Sequence, residues 1–165
     1  MTDRVTDEPQ HEVLTWDSFG AASRSLARAV LDDGYAADLI LSIARGGLFC
    51  AGALAYALDI KRMHVVNVEF YTGVQARLAE PVILPPAPRP DDIRGARVLI
   101  ADDVTDTGRT IALVKQFCES AAADVRCAVV FEKPHTVLRA DYVWRYTSAW
   151  IDFPWSSQGA VLVQR

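Results

Sequence analysis

The chain lacks a hydrophobic run long enough to cross a bilayer. Its longest nearly apolar stretch, residues 46–58, falls well short of the ~20 residues a membrane helix needs. The N-terminus, MTDRVTDEPQHE, has no apolar centre and does not read as a signal peptide. Cysteine is scarce: Cys50, Cys118 and Cys127 are an odd number without a Cys-x-x-Cys spacing. That argues against a disulfide framework or a zinc site, and the three are read as small buried apolar residues in a reducing compartment. A cytoplasmic protein with no membrane partner is expected. Basic residues are not in excess, since the formal charge is −4. Nucleic acid is therefore not an expected partner. A small anionic ligand stays possible, because its binding depends on local charge. No Gly-Lys-Ser/Thr phosphate loop is present, which disfavours nucleoside-triphosphate hydrolysis. There are no internal repeats and no low-complexity tract.

What is present is an ordinary globular mixture. With 165 residues, 51% hydrophobic and 23% charged, the chain suits one domain with its own core. Residues 1–12 are expected as a flexible tail and 13–165 as the single domain. Phe19, Ala22, Leu26, Ala29 and Val30 recur at helical spacing, and Gly34 marks the stop. The apolar run 39–43 predicts a buried strand, broken by Arg45-Gly46-Gly47. Leu48, Ala51, Ala55 and Leu58 give a second helical stripe, and 65–70 the next strand. Residues 71–94 hold five of the eight prolines and predict a long loop or irregular hairpin, a candidate mobile loop. A second strand–loop–helix–strand unit follows: strand 97–101, polar loop 102–108, helix 109–120 and strand 125–131. Two such units predict an α/β fold, a mostly parallel central sheet with helices on both faces. Ligands of such sheets bind at the carboxyl ends of the strands, where the loops at Arg45 and Asp102 both lie.

The stretch VLIADDVTDTGRT, residues 98–110, carries the most chemistry. It reads strand, two carboxylates, a loop rich in threonine and glycine, then a helix start. A helix N-terminus offers free N–H groups and partial positive charge. Gly108 lets the backbone approach closely, and Thr107 and Thr110 add hydroxyl donors, so the loop is a phosphate cradle. Yet Asp102, Asp103 and Asp106 stand directly before it. Ionised carboxylates only accept hydrogen bonds, so they suit a diol or a bound cation. A ligand with both a phosphate and a ribose diol would use both halves. Alone, an Asp-Asp pair would do no more than end a strand, and Asp106 would only cap a helix.

Asp102-Asp103 followed by Asp106-Thr107-Gly108-x-Thr110 after an apolar strand resembles the signature of type I phosphoribosyltransferases for 5-phosphoribosyl-1-diphosphate (PRPP). The resemblance implies that Asp102 and Asp103 hold the ribose hydroxyls. It implies that the loop through Val104, Thr105, Asp106, Thr107, Gly108, Arg109 and Thr110 holds the rest of PRPP, the 5′-phosphate above all. Residues 42–48, Ser-Ile-Ala-Arg-Gly-Gly-Leu, resemble the family's pyrophosphate loop, with Arg45 and the Gly46 amide facing the diphosphate. In that family the peptide before this arginine is often cis. Phe131-Glu132-Lys133-Pro134, Asp141-Tyr142-Val143 and Trp150-Ile151-Asp152-Phe153-Pro154-Trp155 resemble the C-terminal hood of bacterial xanthine–guanine phosphoribosyltransferases. This implies a core over about 36–131 and a small hood over about 132–158. Lys133 would meet the purine 6-oxo group, Trp150 would stack on the base, and the backbone at Ile151 would read its 2-position.

The sequence departs from the family where Phe70-Tyr71 replaces the usual Ser-Tyr and where Asp152 and Phe153 replace Glu and Gln. Arg77 is the single basic residue of the short stretch 72–78 within that loop and its one candidate diphosphate contact. The implied reaction joins a 6-oxopurine to PRPP, giving a nucleoside 5′-monophosphate and pyrophosphate in purine salvage. Magnesium (Mg2+) would sit on the diphosphate with Asp103 as its protein contact. Asp106 would accept the purine N7 proton, and Arg45 would stabilise the leaving diphosphate. A homo-oligomer, dimer or tetramer, is expected. The alternatives are a phosphoribosyltransferase for another base, which Lys133 and Trp150 oppose, and a non-catalytic regulator that senses PRPP or a nucleotide with the same fold.

Overall fold

Alternating side chains along three central strands determine the architecture. The computed structural model describes residues 10–71 and 80–161. In chain order, β1 (His11–Val13) leads to α1 (Trp16–Asp32), β2 (Leu39–Ala44), α2 (Gly47–Leu58), β3 (Met63–Tyr71) and β4 (Glu80–Leu84). Then come the one-turn α3 (Pro90–Ile93), β5 (Arg97–Thr105), α4 (Arg109–Glu119), β6 (Asp124–Glu132), β7 (Tyr142–Tyr146) and β8 (Trp150–Asp152). The main sheet has the order β4-β3-β2-β5-β6-β7. Its neighbours are parallel except β3 and β4. Leu39, Leu41 and Ile43 of β2, Val98 and Ile100 of β5, and Val125, Cys127 and Val129 of β6 share one core with Ile111, Val114 and Cys118 of α4. Their neighbours Ile40, Leu99, Ala101, Ala128 and Val130 share the other with Leu26 of α1 and Leu54 of α2. The sheet is thus covered on both faces, as a mostly parallel sheet requires. All three cysteines are free and buried, and burial pushes the Cys118 and Cys127 thiols up to about 12.

Local chemistry sets the boundaries. Thr15 caps α1: its hydroxyl accepts from Ser18 N–H at 3.1 Å while Thr15 N–H donates to Ser18 Oγ at 2.9 Å. Gly34, at φ 71°, ends that segment as the sequence predicts. Asp38 fixes the start of β5 against that of β2, accepting from Arg97 N at 2.8 Å and from its guanidinium at 2.9 and 3.1 Å.

Three expectations need correction and one is decided between its alternatives. The tail expected over 1–12 gives way at His11, because β1 pairs in parallel with β8. Of the long loop or irregular hairpin expected for the proline-rich segment, the structure has the hairpin. Residues 80–84 pair antiparallel with β3, and Pro90 starts α3 at a position where a missing N–H costs nothing. The polar loop expected from Asp102 begins only after Thr105. Asp102, Val104 and Thr105 pair with Val129, Phe131 and Glu132, so the ladder outweighs the low strand preference of aspartate. Tyr142–Tyr146, inside the expected hood, is the edge strand of the main sheet. No described helix is long and apolar enough to cross a membrane.

Candidate active site

Because β5 continues past the sheet centre, Asp102 and Asp103 sit on a strand rather than a flexible turn. Side chains alternate along it. Asp102 is buried, 8% exposed, and its Oδ1 accepts from Asp103 N at 2.9 Å. Burial lifts the Asp102 carboxyl well above the usual carboxylate range, and the neighbouring Asp103 charge adds to this. Burial also raises Asp103, opposed by hydrogen bonds from Val104 N–H and the Trp155 side chain. Two adjacent carboxylates partly shielded from water favour a bound proton or cation.

The β2–α2 turn closes on this pair. A Cβ on Gly46 would overlap the Asp103 carboxylate, and one on Gly47 would lie 2.5 Å from Ala101 O. Close approach to backbone requires glycine at 47, while a side chain at 46 would displace the Asp103 carboxylate. Arg45 is exposed beside them, and the Ala44–Arg45 peptide is cis.

Beyond Thr105 the chain turns into α4 through Gly108, at φ 79°. A Cβ there would press on Thr136 Oγ1 and lie 2.8 Å from Leu138 N. Gly108 offers the α4 N-terminus no side-chain cap, Arg109 N–H reaches only Thr107 Oγ1 at 3.5 Å, and no acid lies in the first turn. Its free N–H groups face a cavity of about 500 Å³ lined by residues 104–111 with Phe70, His135 and Val137. The helix N-terminus at its wall suits a phosphate.

A second cavity of about 280 Å³ adjoins it and shares Val104 and Asp106. Lys133, Trp150, Ile151, Asp152 and Phe153 form its other walls. Trp150 is 65% exposed, an open aromatic face, while Ile151 is buried. Lys133 Nζ donates to Ala149 O, just before Trp150. Phe153 stacks on Trp155 at 5.0 Å, and Trp155 on Phe49 at 4.5 Å, so Trp155 ties Asp103 to an aromatic cluster. Asp106 stands where the two cavities meet, its Oδ1 2.7 Å from His135 Nε2.

A phosphate cradle, a carboxylate pair and an aromatic-walled cavity in this order match a known family. The phosphoribosyl transferase domain matches residues 9–163. The chain belongs to that family. A xanthine-guanine phosphoribosyltransferase of Ruegeria sp. (strain TM1040) is 32% identical over 154 residues, 86% of this chain and 83% of that protein. One from Gluconobacter oxydans (strain 621H) is 29% identical over 158 residues, 95% and 92% of the two chains. The crystal structure of a purine phosphoribosyltransferase from Pyrococcus horikoshii Ot3 has a TM-score of 0.79 at 34% identity, covering 94% of this chain and 99% of that one. The resemblance to xanthine–guanine phosphoribosyltransferases and the α/β fold are thereby borne out.

In this phosphoribosyltransferase, the residues singled out from the sequence gather at the carboxyl end of the sheet. Residues 104–110 line one side, with Gly46 packed on Asp103 behind them, and Lys133, Trp150 and Ile151 the other, with Asp106 between; Arg45 lines a separate hollow with His64 and Asn67. Arg77 lies outside the described residues. Sequence reasoning missed His135 and the reach of Trp155. It also missed the stitching of the loop after β6 to the phosphate loop. Lys133 N–H donates to Thr105 O at 2.9 Å, Val137 N–H to Thr107 O at 2.9 Å, and Thr105 and Thr136 hydroxyls meet at 3.1 Å. Glu132, fully buried, accepts from Arg139 at 2.5 Å and Ala140 N at 2.9 Å, which pins the far end of that loop. The Lys-Pro step was the only local sign that this segment mattered.

Proposed function

We propose that this family member transfers the 5-phosphoribosyl group of PRPP to a 6-oxopurine in the cytoplasm, releasing pyrophosphate and a nucleoside 5′-monophosphate for purine salvage. One observation carries the reading: the phosphate cavity and the aromatic-walled cavity share Val104 and Asp106. A ligand that fills both places its sugar C1, with phosphate on one side and base on the other, beside the Asp106 carboxylate. The relatives named as xanthine-guanine and purine phosphoribosyltransferases support the choice of base.

The residues divide the work. The α4 N-terminus, Thr107 and Thr110 hold the 5′-phosphate, with Thr105, Gly108 and Arg109 shaping that cradle. Asp102 and Asp103 accept from the ribose hydroxyls. Arg45 and the Gly46 amide face the leaving diphosphate and stabilise the charge that develops on it. Trp150 stacks on the purine, Lys133 donates to its 6-oxo oxygen, and the Ile151 backbone reads its 2-position. Asp106 accepts the N7 proton as the new bond forms at N9. Arg77, on the segment between β3 and β4, is the proposed closing contact to the diphosphate.

The donor set fits magnesium. Asp102, buried, and Asp103, half-buried, both have a raised affinity for protons. Among the described residues no group of three ligating side chains comes together, so substrate oxygens would supply most of the coordination, with Asp103 as the protein contact. When bound, magnesium would neutralise charge on the diphosphate and orient it. A dimer or tetramer is proposed as the working form.

The test is pyrophosphate release from PRPP and magnesium with guanine, xanthine or hypoxanthine, against adenine and uracil. Turnover on at least one 6-oxopurine and none on adenine is expected. Absence of turnover on every base would overturn the reading.

A further inference from the structure

The segment that walls the base cavity is not part of the main sheet. Among the described residues, the one strand paired with β8 is β1, in the register His11 to Trp150, Glu12 to Ile151 and Val13 to Asp152. Trp150 N–H donates to Gln10 O at 2.9 Å, and Leu14 N–H to Asp152 O at 3.0 Å. Two side chains of β1 add anchors. His11 Nδ1 meets Asp152 Oδ2 at 2.8 Å. Glu12 accepts from Arg145 at 2.5 Å. Arg145 belongs to edge strand β7, where its guanidinium lies 4.2 Å over the Trp144 ring.

We infer that the N-terminal strand is a positioning element for base recognition, with His11 and Glu12 as its positioning residues. A pair of three-residue strands has no independent stability and must borrow it. Adjacent residues of a strand face opposite ways, so His11 and Glu12 grip β1 from its two sides. His11 fastens it to Asp152, a wall of the base cavity, and Glu12 fastens it to the rigid edge of the main sheet. Beside the packing of Ile151 and Phe153 in the core, a backbone and ion-pair path from sheet to base cavity therefore runs β7, β1, β8, across a separation of 141 residues between His11 and Asp152. The phosphate cradle and the carboxylate pair stand on β5 and α4 and do not use this path. Loosening β1 should weaken binding of the purine and leave PRPP alone. The inference rests on the proposed function for the identity of the base, and on geometry for the rest.

The experiment uses the full chain with the double substitution His11→Ala/Glu12→Gln, and His11→Asn alone. Asparagine keeps an amide donor close to the Nδ1 position. KM for guanine and for PRPP are measured separately, together with amide hydrogen exchange at residues 150–152 without ligand. The double variant is expected to raise the purine KM by about threefold to tenfold, with KM for PRPP and kcat within about twofold. Exchange at 150–152 should accelerate by a similar factor, and His11→Asn should remain close to wild type. Equal rises in both KM values, or exchange at 150–152 unchanged, would overturn the inference. A wild-type protein inactive on every base would defeat the proposed reaction instead, and the exchange measurement would still decide the role of β1.

Discussion

His135 Nε2 lies 2.7 Å from Asp106 Oδ1, joining the loop after β6 to the loop after β5 at the junction of the two cavities. Both side chains are more than half exposed, so the bond contributes little to stability. Its value is directional: an imidazole N–H donor keeps one carboxylate oxygen occupied and aims the other.

Asp106→Asn should lower kcat by about 10²-fold or more, the usual scale for losing a proton acceptor, with PRPP affinity nearly unchanged. His135→Ala should lower kcat by about threefold to tenfold, and the double variant should fall no further than Asp106→Asn alone. Steady-state kinetics of the three variants check this. A full additive loss would mean that His135 acts independently of Asp106.

Trp150→Ala should weaken purine binding by about tenfold to a hundredfold, the range for loss of a stacking face, while sparing PRPP. Because Trp150 is 65% exposed, its thermal midpoint should stay within about 2 °C of wild type. Nucleotide titration with a parallel melt separates the two effects. Equal losses for both ligands would point to a structural role.

Asp103→Asn should make the metal-free protein more stable and less able to bind PRPP. The substitution removes the half-buried charge beside buried Asp102 and retains an acceptor for Val104 N–H. A gain of about 1 kcal/mol, seen as a rise of about 2–4 °C in Tm, is expected in a chelating buffer. Melts in that buffer, with PRPP binding measured in magnesium, check both halves.

Asp38 gives a pH dependence with a definite sign. Hydrogen bonds from the Arg97 side chain, then from its backbone, lower the Asp38 carboxyl from 3.8 to about 2. A depressed native value stabilises the fold above pH 3.8, and that contribution is lost as pH falls towards 2. Because the pair is partly exposed, Asp38→Asn should cost only about 1 kcal/mol at pH 7. Denaturant melts at pH 7 and near pH 2.5 should show the wild-type advantage shrinking. An advantage that is constant or grows in acid would exclude this account.

Features dominated by local chemistry were legible in the sequence. The apolar runs 39–43 and 97–101, the stop at Gly34 and the Thr-Gly loop before α4 all depend on neighbouring residues. Features set by distant pairing were not. β1 and β8 are three residues each, too short to show a period, and nothing near His11 points to Asp152. Asp102 and Asp103 resemble a strand end until β6 supplies the ladder that carries β5 to Thr105. His135 is 29 residues from Asp106, so no spacing rule connects them. The site was legible as a motif, while its junction at Asp106 needed the fold.

The hydrogen bond from Val137 N–H to Thr107 O, with the Thr105–Thr136 contact beside it, has a thermodynamic corollary. It joins the loop for the sugar phosphate to the loop bearing the base-side lysine, so neither can be ordered without ordering part of the other. Any tightening of the nucleobase that PRPP produces through this link must be returned in equal measure, because heterotropic coupling is reciprocal. A nucleotide product bound as proposed would occupy both loops at once and draw on the whole of that coupling, which would favour slow departure of product over slow bond making.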